Sequence, residues 1–309
     1  MSFKFIKFAL LVFLFIGMKD PAFAATCSCA GVPLLTTIDT SASEKGEFFI
    51  SYSTEFHQIS DLVSGTKNVN DETDRDRNSF SQVLSTSYAM TDRWSVSALV
   101  SYVKHNRTIG SSFLGKTTTS GIGDSVILLR YTPLFITPFS RHLISLGLGV
   151  RIPTGDDDFG DNFVLSEDMQ PSTGAYGEIL WTSYSYAFNQ AATVQFNTSA
   201  NYTVNEENDR KYAFGNEFNL FSGISHNIGT KFGYSAGLRY RTTRADRRFG
   251  FDIPNTGGQW LDFIPGISYA VTNHLNLGLS GRIPVWRKLD GVLQFTTSYA
   301  YSFSLSYGF

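Results

Sequence analysis

Long apolar runs and charged residues are both scarce in this sequence. Beyond residue 25 it has no run of about 18 consecutive apolar residues, the length that a membrane-spanning helix needs. Charged residues make up 17% of the chain, below the roughly 25% that is usual for soluble domains. The net charge is −2, so a basic surface for nucleic acid is not expected. A helical membrane protein and a nucleic-acid-binding protein are therefore excluded.

Cysteine is also scarce, with two residues at positions 27 and 29. This pair could form a strained disulfide in an oxidising compartment, or offer two thiolates to a soft metal. Two ligands alone do not make a metal site, so no cofactor or metal is predicted. A lipoprotein signal would have a small residue such as Gly or Ala directly before the lipidated Cys. Thr26 occupies this position before Cys27, so lipidation is not expected.

The N-terminus has the pattern of a secretory signal peptide. Lys4 and Lys7 precede an apolar run from Phe8 to Met18, and an A-x-A pattern ends at Ala24. We predict cleavage after Ala24 or Ala25, with residues 1–24 as the signal. Residues 25–45 are small and polar and are predicted to form a periplasmic lead-in or a short plug. Residues 46–309 are predicted to form a transmembrane β-barrel.

The last eleven residues show the pattern that repeats along the rest of the chain. Every second residue is large and apolar: Tyr299, Tyr301, Phe303, Leu305, Tyr307 and Phe309. A period of two is typical of a β-strand with one apolar face and one polar face. Aromatic residues make up 15% of the chain, and mean hydropathy is −0.08. This combination fits a membrane β-barrel, whose strands average a lipid-facing side with a polar lumen side.

The same alternation recurs along the chain and predicts an all-β, up-and-down antiparallel barrel of about 12 strands. Long polar connections follow odd strands and short turns follow even ones, as in outer-membrane barrels. A soluble β-sandwich also has many short strands, but it does not ordinarily show this asymmetry. The predicted strands begin near residue 46 and then cover residues 79–89, 94–103, 123–132, 143–153, 174–186, 192–204, 214–225, 232–241, 259–270, 275–285 and 292–309. The connections 58–77, 104–122 and 154–173 are predicted to be solvated loops.

Strand direction and side-chain parity predict a mixed-charge belt in the lumen near the extracellular end. The belt consists of Arg151, Arg239, Arg241, Arg282, Asp124, Glu178, Glu217 and Asp262. Rings of charged side chains select permeating ions and polar solutes. The same residues could instead pair as buried salt bridges that only support the wall. Filter and strut remain open alternatives at this point.

Signals for an enzyme are weak. Five histidines occur, and most fall in predicted loops or turns, while His57 is predicted to face the lumen. GIGD at 121–124 is not followed by a helical pattern, so it does not predict a phosphate loop. The acidic run at 156–161 lacks the spacing of a calcium loop. It is interpreted as a solvated surface loop, with capture of divalent cations from lipopolysaccharide as the alternative.

Three short motifs together resemble one known family. They are C-x-C-x-G at residues 27–31, G-x-G-D at 121–124 and R-I-P-T-G-D at 151–156. The sequence resembles the outer-membrane transporter family named after the meta-cleavage pathway of phenol degradation. The resemblance implies a barrel of about this size and a role in uptake of small, often aromatic, compounds. It carries over no binding residues.

The sequence therefore predicts a porin-like channel of the Gram-negative outer membrane that passes a small, possibly aromatic, solute passively. The alternative is a non-transport structural or adhesive barrel that acts through its extracellular loops. No enzyme activity is predicted. The predicted partners are outer-membrane lipid, lipopolysaccharide and the solute. The barrel-assembly machinery is a further one, because the terminal Phe309, with aromatics two and eight residues before it, resembles the signal that this machinery reads.

Overall fold

The computed structural model describes residues 25–26, 44–72, 74–110, 115–137, 140–160 and 165–309. The predicted signal peptide, Cys27, Cys29 and most of the 25–45 lead-in lie outside these residues. Within the part of the chain that the structure describes, no helix is long and apolar enough to cross a membrane.

Twelve antiparallel strands form a closed barrel, in which β1 pairs with both β2 and β12. Each further strand pairs with its neighbours in chain order, so the sheet has no open edge along its length. The strands are β1 Phe48–Ile59, β2 Arg75–Ala89, β3 Trp94–Ile109, β4 Ser125–Leu134, β5 His142–Ile152, β6 Gly177–Ala187, β7 Val194–Asn205, β8 Glu217–Ile228, β9 Phe232–Thr243, β10 Gly258–Ala270, β11 Leu275–Leu289 and β12 Tyr299–Gly308.

Short strands complete the extracellular end. Lys116–Ile122 leads into β4 and pairs with the upper part of β3. Asp61–Ser64 pairs with Lys67–Val69 and with Gln294–Thr296, and Ala25–Thr26 pairs in parallel with the last of these. A third small sheet joins Tyr212–Ala213, Arg247–Arg248 and Phe251–Asp252.

A β-bulge just before β4 changes which residues face the lumen. Ile122 pairs with Tyr102, and Val126 pairs with Leu99. Four residue steps on one strand therefore match three on the other, which is the signature of a bulge. Because of the extra residue, Asp124 turns inward and is almost completely buried.

The outer face of the barrel is apolar and exposed. On β12 the alternating Tyr, Phe and Leu side chains all point outward, and Tyr301 is 51% exposed. Its ring stacks on Phe56 of β1, with the centroids 5.1 Å apart. The closing strand and its lipid-facing aromatics are therefore confirmed, because only lipid accommodates an apolar face of this extent.

Three predicted boundaries are wrong. The last strand begins at Tyr299 rather than at residue 292, because Gln294–Thr296 turns inward to pair with Asp61–Ser64. The connection 58–77 is not an open loop, since the Asp61–Ser64 hairpin buries two apolar side chains beneath it. In the connection 104–122, β3 continues to Ile109 and meets the added strand Lys116–Ile122.

One side of the lumen is filled by an apolar cluster. Its members, which come from β2, β3, β4 and β6, are Val83, Leu99, Val126, Leu128, Ile179 and Trp181. A Cβ atom on Gly147 of β5 would lie 3.1 Å from Leu128 and 3.2 Å from Trp181, so this glycine leaves room for the cluster. The cluster fills this side of the lumen. The open part of the lumen lies on the opposite side, where serine and asparagine line the wall.

We predict that Trp181→Ala destabilises the barrel by about 3–5 kcal/mol, because it leaves a cavity where a 1% exposed ring was packed. Urea unfolding in lipid vesicles, followed by heat-modified mobility on gels, measures the loss. Leu180→Ala is the matched control, because Leu180 is on the same strand and is 59% exposed on the outer face. Equal effects of the two substitutions would contradict a packed lumen cluster.

Candidate functional site

Seven of the eight predicted belt residues face the lumen, and their charges pair between strands that are adjacent or separated by one strand. Arg239 on β9 donates from Nη2 to Oδ2 of Asp262 on β10, at 2.5 Å. Arg241 donates from Nε to Oε2 of Glu217 on β8, at 2.7 Å. Each pair joins two adjacent strands, so guanidinium and carboxylate groups face one another as the parity argument predicted.

Two further pairs involve the remaining arginines of the belt. Arg282 on β11 donates from Nη2 to Oε1 of Glu55 on β1, at 2.5 Å. His57 Nε2 lies 3.1 Å from the same carboxylate oxygen. Arg151 on β5 lies beside Asp124, with Nε and Oδ2 3.3 Å apart. Glu55 and His57 thus complete the belt, although the sequence predicted of His57 only that it faces the lumen.

The prediction for Glu178 is wrong, because this side chain is exposed on the outer face of the barrel. The inward residues on its strand are Gly177, Ile179 and Trp181, and the last two belong to the apolar cluster. Parity was assigned on the assumption that polar residues face the lumen. On this side of the barrel the lumen is apolar, so the assumption fails.

Residues 165–173 of the connection 154–173 fold into the extracellular mouth instead of extending into solvent. Met169 is completely buried, and its backbone oxygen accepts from Thr119 Oγ1 of the barrel wall at 2.5 Å. Arg77 of β2 pairs with Asp168 at 2.7 Å. Arg107 of β3 donates to Ser166 Oγ at 3.2 Å. The prediction of a solvated loop is therefore wrong, because buried arginines of the wall bind the loop. We call its described residues 165–173 the inner lid.

Asp124 anchors the end of the inner lid. Its carboxylate accepts from Ser172 Oγ at 2.6 Å, from Thr173 Oγ1 at 2.6 Å and from Thr173 N at 3.1 Å. It also faces Arg151 of the wall. A buried carboxylate with this many donors holds the lid by charge-assisted hydrogen bonds, which are stronger than neutral ones.

A second contact holds the lid from outside. Arg210, in the connection between β7 and β8, donates from Nη1 to Asp157 Oδ2 at 2.8 Å and from Nε to Glu167 Oε1 at 3.1 Å. Its Nη2 also bonds Glu167. Burial lowers the pKa of Arg210, but the bonds and charges of Glu167 and Asp157 outweigh it, so the pKa is raised. We call these three side chains the outer clasp.

A buried pair stiffens the neighbouring extracellular connections. Tyr212 Oη donates to Asp246 Oδ2 at 2.6 Å, and Gly215 N donates to Oδ1 of the same carboxylate at 2.8 Å. Burial is the main cause that raises the pKa of both Tyr212 and Asp246. Arg248 stacks over the Tyr212 ring and lies 3.5 Å from Glu167, which joins these connections to the outer clasp.

We predict that Arg210→Gln loosens the outer clasp and leaves the barrel intact. The substitution removes the positive charge that contacts both Asp157 and Glu167. When intact cells are treated with a protease, cleavage within residues 154–167 should therefore become faster. Heat-modified mobility should stay unchanged, because Arg210 contacts loops and not the barrel wall. Lys211→Gln is the matched control, since the Lys211 side chain is exposed and pairs with Glu207 at the surface. Cleavage at the wild-type rate would show that the clasp does not hold the lid.

Arginine outnumbers carboxylate on the inner face of the described strands. The inward carboxylates at this level are Glu55, Asp124, Glu217 and Asp262. The inward arginines are Arg75, Arg77, Arg107, Arg130, Arg151, Arg239, Arg241, Arg282 and Arg287. The lid and the first hairpin add Glu167, Asp168 and Asp61, so seven carboxylates face nine arginines and an excess of positive charge is left.

Two connected cavities lie on the polar side of the lumen. The lower one has a volume of about 230 Å³ and is lined mainly by serine and by Asn227. The upper one, about 140 Å³, is lined by Phe221, Ile264 and Ala300 and lies against the Glu55–Arg282 pair. Ser280 and Ser302 line both, so a polar tract runs from the periplasmic half of the barrel to the belt.

Metal ligands do not cluster in the described residues, where no group of three or more His, Cys, Asp or Glu side chains could hold an ion.

Comparison with solved structures finds a barrel of the same fold and more distant matches. The chain resembles the COG4313 outer membrane channel from Pseudomonas putida F1, with 11% identity, a TM-score of 0.70, and coverage of 88% of this chain and 98% of that one. It also matches the KdgM porin, with 8% identity, a TM-score of 0.47, and coverage of 84% and 99%. The β domain of the Bordetella autotransporter BrkA matches with 12% identity, a TM-score of 0.48, and coverage of 86% and 100%.

No protein among the curated ones matches the chain. A family model described as "Putative MetA-pathway of phenol degradation" matches residues 98–288, which is more than half of the chain. The closed barrel with its apolar outer face places the protein in the bacterial outer membrane. The resemblance read from the three short motifs is confirmed. The chain belongs to the outer-membrane family that is named after this pathway of phenol degradation.

Proposed function

We propose that this protein is an outer-membrane channel that passes a small aromatic solute passively through its lumen. The observation that carries the proposal is the polar tract of two cavities that leads from the periplasmic half of the barrel to the belt. The apolar lining of the upper cavity favours a solute with an aromatic ring. The name of the family, which refers to phenol degradation, supports the same class of solute.

The belt is proposed to select the solute as well as to support the wall. Its ion pairs are buried, and a buried pair is weak evidence for stability because desolvation offsets the attraction. Charges that face an aqueous path also act on whatever passes. The excess of arginine predicts a preference for anions over cations.

Catalysis is not part of the proposal. Ser79 Oγ and His105 Nδ1 lie 2.7 Å apart, which is a spacing that hydrolases use. Both side chains are completely buried beneath the inner lid, so a substrate cannot reach them. The pair is better explained as a hydrogen bond that joins β2 and β3.

Uptake into liposomes tests the proposal. Vesicles that contain the purified barrel should take up 4-hydroxybenzoate, which crosses lipid slowly as an anion, and should exclude a trisaccharide. Empty vesicles are the control for leakage through lipid. A heat-modifiable, correctly folded barrel that gives no uptake would contradict the proposal.

A non-transport surface protein is the second candidate, and one observation favours it. Phe249 and Phe251, in the extracellular hairpin before β10, are 68% and 79% exposed. Phe249 also has a positive φ of 52°, a conformation that is strained for a bulky residue. Substituting both with Ser should abolish adhesion if the hairpin is adhesive, and should leave uptake unchanged if the protein is a channel.

A further inference from the structure

The upper cavity has the size and shape of a binding site for one aromatic ring. Its volume of about 140 Å³ is close to that of a cavity of about 150 Å³ that binds benzene in another protein. Phe221 forms one wall, with Ile264 and Ala300 beside it. A Cβ atom on Gly237 would lie 2.6 Å from the Phe221 ring, so glycine at this position lets the ring lie flat against the wall.

Arginine donors stand beside this ring-sized space. Arg239 is 4% exposed and uses Nη2 for Asp262, while its Nε and Nη1 have no partner among the described residues. Arg282 uses Nη2 for Glu55, and its Nε has no partner there either. Arg282 lines the cavity, and Arg239 is the cross-strand neighbour of Phe221. Buried donors of this kind call for an acceptor, because an unsatisfied buried N–H group is costly.

We propose that the upper cavity binds an aromatic monocarboxylate of the size of benzoate. The ring lies against Phe221 and Ile264, and the carboxylate accepts from the free N–H groups of Arg239 and Arg282. Guanidinium forks match carboxylate oxygens in geometry and charge, and such bonds are stronger than those to neutral acceptors. The inference rests on the proposed function, because it names the solute that the tract would pass.

The surrounding charges fit an anion better than a neutral phenol or amide. Glu55 and Asp262 are each bonded to one of the two arginines, so neither carboxylate faces the ligand alone. The lumen as a whole carries more arginine than carboxylate, which offsets the charge of the ligand. A neutral ring with one oxygen would leave some of the donors unsatisfied.

Calorimetric titration of benzoate into the purified barrel in detergent tests the site. Benzamide has nearly the same shape without the charge, and acetate has the carboxylate without the ring. We expect benzoate to bind at least tenfold more tightly than either. Equal affinity for benzamide would overturn the role of the arginines, and equal affinity for acetate would overturn the role of the cavity.

Two substitutions probe the two halves of the site. Arg282→Lys keeps the charge opposite Glu55 but loses the fork, and should weaken benzoate about tenfold. Gly237→Ala pushes the Phe221 ring toward the cavity and should weaken benzoate by a similar factor without removing any charge. If both variants bind benzoate with wild-type affinity, neither group belongs to the site, and the proposal is overturned.

Each variant has a control. Gly308→Ala adds a methyl group at the end of β12, outside the cavity and 3.8 Å from Phe49, and should leave binding unchanged. Arg130→Lys alters an inward arginine that bonds Ser95 at the periplasmic end, and should also leave binding unchanged. Heat-modified mobility identifies any variant that fails to fold.

Parallel bilayer recordings separate this inference from the proposed function. Ion conduction without benzoate binding would overturn the site and leave the channel. Benzoate binding without conduction or uptake would overturn the channel and leave the site.

Discussion

Asp124→Ala is expected to raise the single-channel conductance several-fold. The substitution removes the acceptor for Ser172 and Thr173, so the inner lid loses its buried anchor at the barrel wall. Bonds to a charged group contribute about 1.5–3 kcal/mol each, and Asp124 accepts more than one of them. The lid should then leave the mouth for part of the time, which opens the path at its extracellular end.

Removal of Asp124 also leaves Arg151 buried without its partner, which can cost about 3–5 kcal/mol of folding free energy. A second variant avoids this problem. Ser172→Ala combined with Thr173→Val removes the lid's side-chain donors and keeps the Arg151–Asp124 pair. It should raise conductance in the same direction, with less loss of stability.

Planar-bilayer recording of these variants gives the measurement. Asp156→Ala is the matched control, because Asp156 is an exposed carboxylate in the same connection. It should conduct like the wild type. If both lid variants fold and conduct at the wild-type level, the lid does not limit the path.

Replacing Arg151 and Arg282 with Ser is expected to reduce or reverse the preference for anions. The two substitutions remove two positive charges from the lumen and leave Asp124 and Glu55 without their partners. Negative charge then faces the path at the belt, where charge has the greatest effect on a passing ion.

The reversal potential in a salt gradient measures this change. Arg244 and Arg247 lie in the extracellular connection between β9 and β10, and both are exposed. Changing these two to Ser removes the same charge outside the lumen and serves as the control. If the Arg151 and Arg282 variant folds and its ion selectivity stays at the wild-type value, the belt only supports the barrel wall.

The barrel itself could be predicted from the sequence because a period of two is a local property. The closing strand shows this well, since Tyr301 and Phe303 point to lipid as their alternation indicates. Strand parity also placed Arg239, Arg241 and Arg282 correctly in the lumen. The partners of Arg239 and Arg241 lie on adjacent strands, so strand order was enough to predict that these opposite charges meet, whereas Arg282 reaches across β12 to Glu55 on β1.

Contacts between distant connections could not be read in the same way. Asp168 meets Arg77 although 91 residues separate them, and nothing in either local pattern indicates the pairing. Asp168 looks solvated until Arg77 of the wall is placed beside it. The same holds for Asp157 and Glu167 until Arg210 is placed. The available signal was the pair of Arg77 and Arg107, which both face inward on neighbouring strands. Two such arginines indicate that an acidic segment enters the mouth.

Glu178 shows the limit of the parity rule. The rule takes the polar face of each strand as the lumen face, and on β6 this choice is wrong because Ile179 and Trp181 pack inside. The bulge beside Asp124 is a second case, in which one extra residue changes the inward set. Both features depend on packing across several strands.

Planar-bilayer recording of the wild-type barrel tests the central claim most directly. The structure has a narrow polar tract beside an apolar cluster. The tract lies below the inner lid, and arginine outnumbers carboxylate in the lumen. The account therefore predicts small, discrete conductance steps with a preference for anions, and a decrease in conductance when benzoate is added. A folded barrel that shows no steps, or that passes large cations and anions equally, would contradict it.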